Sequence, residues 1–261
     1  MSYTSLMALL PAQTRRLFVA FASVWAVAGC MTEGTGLGLN LVPETQVEQM
    51  GLESWKAVRT ETPVSRNVTY QRAAQDVAGR ILRASGKNPH EWEVVVFASP
   101  EANAFALPGK KIGVYEGMFN VANTPDKLAA VIGHEVAHVD AAHAAERVNT
   151  QVGMEIGVQL IGDVLGAVTS VPPETAQAFL GAGATYGVVL PYSRNQELEA
   201  DRIGIHYMAQ AGYQPRAAIE LWQSMSRLGQ SQPTFLSTHP APEQRIEELE
   251  RLIPEVSAGR R

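Results

Sequence analysis

The chain has 261 residues, 46% hydrophobic and 18% charged, enough to bury one core without covalent staples. A formal charge of -5 and a pI near 5.7, with no dense basic cluster, exclude nucleic acid as the main partner. A single cysteine excludes any internal disulfide.

That cysteine, Cys30, closes the first segment. Arg15 and Arg16 precede the uncharged run LFVAFASVWAVAGC, which has the charged head, short apolar stretch and small residues of a secretory signal. The run is too short for a comfortable membrane span. VAGC resembles a bacterial lipobox, which predicts a signal peptide over residues 1–29 and a lipid anchor on Cys30. No Asp follows the cysteine; by resemblance to Gram-negative lipoproteins, this implies a periplasm-facing protein of the outer membrane. The alternative is an ordinary signal or anchor with an incidental cysteine. Residues 30–43 are glycine-rich and read as a lipidated tether, leaving 44–261 as the folded domain.

Helical patterns cover 44–60 and 66–85. EWEVVVFASP (91–100) reads as a strand, and NAFALPGKKIGVYEGMF (103–119) as a further strand and hairpin turning at Pro108 and Gly109. A helix is predicted from about 125 to 148, capped by Thr124 with Pro125 in its first position. Residues 151–190 hold two apolar pieces with glycines four apart, which predicts a tightly packed helix pair; a lid is the alternative. Glu155, Gln159 and Asp163 form a polar stripe on the first piece, so it reads as amphipathic. A helix over 194–211 opens with a Ser193/Gln196 capping box and stops at Gly212 and Pro215. Two more helices fall near 215–228 and 241–252. The fold class is α+β, mainly helical, with a small sheet.

Within the 125–148 helix, VIGHEVAHVD carries polar groups where an apolar face belongs. His134 and His138 are one turn apart and point the same way, so they can share one cation. Glu135, about 100° round, is placed to take a proton from a water polarised by that cation. Gly133 costs about 1 kcal/mol relative to alanine in mid-helix, which implies close backbone packing there. His143 lies 140° from His138 on a continuous helix. The metzincin spacing also fails, because residues 141 and 144 are alanine, so His143 reads as a surface residue or a supporting one.

A hydrolytic zinc site needs a third protein ligand. On the 194–211 helix, Glu199 and His206 fall on a solvated face, whereas Glu197 and Asp201 fall on the apolar face, where an unpaired carboxylate is costly. One reading pairs them with Arg194 or Arg245. The other gives Glu197 to the metal and lets Asp201 accept the second ring N–H of a ligating histidine, with His134 the choice.

HExxH followed by a downstream ExxxD resembles a gluzincin metallopeptidase. The stretches NAFALPGKKIGVYEGM, HEVAHVDAAHAAER, YSRNQELEADRIGIHYMAQAGY and STHPAPEQRIEEL are similar in order and spacing to the family of HtpX, BepA, LoiP and the CAAX prenyl endopeptidases. The resemblance implies a zincin-like domain with one Zn2+ per chain, held by His134, His138 and Glu197, and Glu135 as general base and acid. It brings His239 close to the metal, either to stabilise the oxyanion or to occupy the open position in a resting form. It makes residues 102–107, Asn103, Ala104 and Phe105 among them, an edge strand for extended polypeptide substrates; a core strand is the alternative. A lipoprotein member without a TPR array, trimming misfolded or misassembled envelope proteins, is the expectation. The alternative function is a lipid-anchored binding or chaperone module with a latent or structural zinc.

Overall fold

The computed structural model describes residues 41–152, 192–227, 234–240 and 242–259. The signal peptide, Cys30, the tether up to residue 40 and the predicted helix pair beyond residue 152 lie outside the described residues.

Helices α1 (Glu44–Glu61) and α2 (Val68–Ala84) come first. The Asn67 side chain caps α2 by accepting from the N–H groups of Thr69 and Tyr70. Its apolar stripe, Ala74, Val77, Ala78, Ile81 and Leu82, enters the main core. Strands β1 (Glu93–Phe97), β2 (Ala104–Leu107) and β3 (Lys111–Tyr115) form a sheet in the order β1-β3-β2. β3 runs parallel to β1 and antiparallel to β2, with Phe105 opposite Gly113. The β2–β3 turn falls at Pro108 and Gly109, as predicted, and Gly109 supplies the positive φ of 87°. β2 therefore lies at the edge of the sheet. A small aromatic cluster of Trp55, Phe97 and Phe105 closes over this region from α1.

Next come α3 (Met118–Val121) and α4 (Pro125–Asp140), then α5 over residues 143–152. The Thr124 hydroxyl accepts from the Lys127 N–H and Pro125 fills the first turn of α4, the predicted start. The predicted single helix to residue 148 is corrected: it ends at Asp140, and Ala142 turns left-handed with φ 54° before α5 begins. Two alanines carry no local signal to break a helix; the interruption coincides with the burial of His143, the first residue of α5. After it come α6 (Arg194–Gln210), α7 (Ala217–Arg227), α8 (Thr234–Thr238) and α9 (Pro242–Ala258). The full Ser193/Gln196 capping box opens α6. α9 runs six residues past its predicted end and takes Pro254 into its interior.

α4 and α6 cross with their backbones touching. A β-carbon on Gly133 would lie 3.2 Å from the Gly204 carbonyl oxygen, and one on Gly204 would lie 3.1 Å from the Gly133 carbonyl carbon and the His134 nitrogen. This contact offsets the helix cost of Gly133 and sets the next turns of both helices face to face. Among the described residues, no helix is long and apolar enough to cross a membrane.

Candidate metal centre

α4 delivers His134 and His138, α6 delivers Glu197, and the residue after α8 is His239. All four are buried, and each offers one ligand atom within 4.8 Å of the others. The Nε2 atoms of His134 and His138 are 3.0 Å apart. Each lies 3.4 Å from a Glu197 oxygen. His239 turns Nδ1 inward, 2.9 Å from Glu197 Oε1 and 3.2 Å from His134 Nε2. Ligands at about 2.0–2.1 Å around a tetrahedral cation are about 3.3 Å from one another. The separations here bracket that value, so the donor set fits a small divalent cation in both chemistry and size.

The rings are held from outside the cluster. His134 Nδ1 lies 3.0 Å from Asp201 Oδ1. Arg245, buried on α9, donates from Nε to Asp201 at 2.6 Å, pairs with Glu197, and stacks 3.6 Å over Trp222. Burial and the Arg245 charge oppose protonation of His134, but its hydrogen bonds to Asp201 and Glu197 prevail and hold its pKa up at about 9. Burial also opposes ionisation of Glu197, yet His239 and Arg245 keep it far below the usual carboxylate range. Burial pushes His138 well below the imidazole range. The two neighbouring rings are thus shifted in opposite directions: hydrogen bonds to the carboxylates favour a proton on His134, and burial disfavours one on His138.

Glu135 sits beside the cluster. The Ala106 N–H, on the free edge of β2, donates to its Oε2 at 3.2 Å. Its Oε1 is buried without a hydrogen bond and faces His239 Nε2 at 3.3 Å. Burial raises the Glu135 pKa above the carboxylate norm, which suits a group that accepts and returns a proton. Asn103, Ala104, Phe105, Glu135, Tyr192 and His239 line a narrow cleft of about 20 Å³, room for one water molecule.

The Peptidase family M48 model matches residues 65–253, which include every one of these side chains. The chain belongs to peptidase family M48. It is 36% identical over 188 residues to mitochondrial metalloendopeptidase OMA1 of Schizosaccharomyces pombe, covering 70% of this chain and 53% of that one. Human metalloendopeptidase OMA1 is 36% identical over 175 residues, 63% of this chain and 33% of its own. The beta-barrel assembly-enhancing protease of Yersinia pestis is 26% identical over 221 residues, 82% of this chain and 45% of its own. The chain thus spans about half or less of the length of these curated relatives.

In this M48 chain the structure brings His134, His138, Glu197, Asp201, Glu135 and His239 together and sets Asn103, Ala104 and Phe105 along the adjoining cleft. The two sequence readings of Glu197 and Asp201 meet in one arrangement, since both contact Arg245 as well as the histidines. Arg194 is exposed and takes no part. The surface reading of His143 is corrected: the ring is buried against His138. Sequence reasoning missed Tyr192, whose ring stacks on His138 at 3.8 Å and has the Arg147 guanidinium 4.3 Å from its centroid. Its one signal is its position just before the Ser193 cap, a turn away from Glu197.

Proposed function

We propose that this chain is a zinc-dependent endopeptidase of the HtpX/BepA/LoiP type. In this reading a lipid on Cys30 holds it at the periplasmic face of the bacterial outer membrane, and its substrates are misfolded or misassembled envelope proteins. The observation that carries the proposal is the setting of Glu135: one oxygen fixed by the β2 edge, the other free of hydrogen bonds, beside three imidazoles and a carboxylate. A His, His, Glu donor set suits a hydrolytic zinc. His134, His138 and Glu197 would hold the ion, and Asp201 fixes the His134 ring by accepting a hydrogen bond from its Nδ1–H. When bound, the ion supplies Lewis-acid polarisation of the scissile carbonyl and of the attacking water.

The chain's own residues do the rest. An extended substrate adds to the free edge of β2 along Asn103, Ala104 and Phe105, where main-chain pairing tolerates many sequences. Glu135 removes the proton of the attacking water through Oε1 and returns it to the departing amine. His239, turned into the cluster, supports a closed resting form in which its ring would be a fourth ligand and would have to swing out before substrate enters. The metalloendopeptidase names of the relatives support the reaction class.

Four protein donors around one ion also favour a second reading, a binding module with a structural zinc. One set of measurements separates the two: zinc per chain, and casein cleavage by the wild type, Glu135→Gln and His239→Ala. The peptidase reading expects about one zinc in each. It expects a loss of at least about 10²-fold for Glu135→Gln and a gain for His239→Ala. Bound zinc with no cleavage by wild type or His239→Ala supports the binding module. Undiminished cleavage by Glu135→Gln contradicts the assignment of the base.

A further inference from the structure

The break between α4 and α5 has a chemical consequence. On an unbroken helix His143 would sit 140° from His138. Instead α4 stops, Ala142 takes the left-handed conformation that a β-carbon disfavours, and α5 restarts at once. The turn carries the His143 ring back onto His138. Their Nδ1 atoms are 2.8 Å apart, the ring centroids 4.9 Å, and His143 is buried. On its far side His143 Nε2 lies 3.4 Å from Oε2 of Glu199 on α6, a carboxylate whose side chain is 56% exposed. A left-handed alanine kept directly before a buried histidine ring points to a constraint worth its cost.

Hydrogen-bond arithmetic orders the protons along this chain. Two ring nitrogens 2.8 Å apart bond only if one carries a proton and the other a lone pair. An ionised Glu199 accepts but does not donate, so neutral His143 carries its proton on Nε2 and keeps a lone pair at Nδ1. His138 must then carry its proton on Nδ1, which leaves the Nε2 lone pair aimed into the ligand cluster. The reverse order would put a proton on His138 Nε2, the atom that faces His134 and Glu197. Tyr192, stacked on the His138 ring at an interplanar angle of 23°, fixes the plane in which this bond forms.

We infer that His143 is a positioning residue for the metal site: it holds His138 in the Nδ1–H tautomer, with Glu199 as the terminal acceptor that sets the direction. It does for His138, through a neutral ring, what Asp201 does for His134 through a carboxylate. The inference rests on the cation-binding role proposed for His138.

The test uses the full chain in three forms, wild type, His143→Leu and His143→Asn, each titrated with zinc against a competing chelator. Loss of such a supporting partner weakens metal binding by about 10–100-fold. His143→Leu should show that loss. His143→Asn, whose amide oxygen can still accept from His138 Nδ1–H, should retain affinity within a few-fold of wild type. Equal zinc affinity in folded His143→Leu and wild type overturns the inference, as does an equal loss in both variants. Two-bond ¹⁵N–¹H imidazole spectra of wild type decide the matter even if a variant does not fold. Protons on His138 Nδ1 and His143 Nε2 are expected; a proton on His143 Nδ1 overturns the inference. A wild type that takes up no zinc removes the peptidase reading instead, so the two failures are distinct.

Discussion

His134 is held from behind by charge, and His138 by neutral rings. Behind His134 stand Asp201 and Arg245, both buried, and Arg245 also pairs with Glu197 and lies flat on Trp222. Behind His138 stand Tyr192 and His143, and the chain of contacts leads to Glu199 at the surface. The difference teaches where the site spends its electrostatics. Two carboxylates, Glu197 and Asp201, would be expensive in the core without a cation, and Arg245 compensates them from one direction only. Among the described residues, the rings of Tyr192 and His143 rather than a buried charge stand behind His138, so this side orients a ring without adding a further charge to the core. The Arg245 side is thus bound up with folding, whereas the His138 side is bound up with the direction of a lone pair.

Arg245→Leu breaks the comparison hardest. It strands two buried carboxylates and should cost about 3–5 kcal/mol in urea unfolding of chelator-treated protein. His143→Leu under the same conditions should cost less, about 1–3 kcal/mol for an unmade hydrogen bond. Equal losses would contradict the asymmetry.

The pH dependence of chelator-treated protein probes the charged side alone. The folded-state pKa of His134 is about 9, above the 6.5 of an unperturbed imidazole. Its stabilisation is therefore complete below pH 6.5 and is lost as pH rises through about 9, by up to about 3 kcal/mol. His138, pushed the other way by burial, loses nothing in that window. Thermal unfolding between pH 6.5 and 9 should show the decline, and Asp201→Asn should flatten it.

The smallest effect sharpens the neutral side. Ala142→Gly removes the β-carbon from a left-handed position and should stabilise the protein by about 1 kcal/mol. Zinc affinity by chelator competition should stay at the wild-type level, because the turn that delivers His143 is kept.

Much of this was legible from local chemistry. Thr124 with Pro125 and the Ser193/Gln196 box mark the starts of the two crossing helices within the sequence itself. Angular positions on those helices separate Glu197 and Asp201 from Glu199 and His206, because a buried carboxylate conflicts with its apolar neighbours. The end of α4 was not legible, since Ala141 and Ala142 favour helix and the contacts of His143 after the interruption are to Tyr192 and Glu199, 49 and 56 residues away. Arg245 was seen only as one of two arginines, because its partner lies 44 residues upstream and nothing local distinguishes it from Arg194.

The central claim is that side chains from three separate elements share one ion. Zinc K-edge absorption of the full chain tests it most directly, with zinc content measured on the same sample. About one zinc per chain is predicted, with outer-sphere scattering from three imidazoles in wild type and two in His239→Ala. Zinc bound without imidazole scattering, or a chain that retains none, would contradict it.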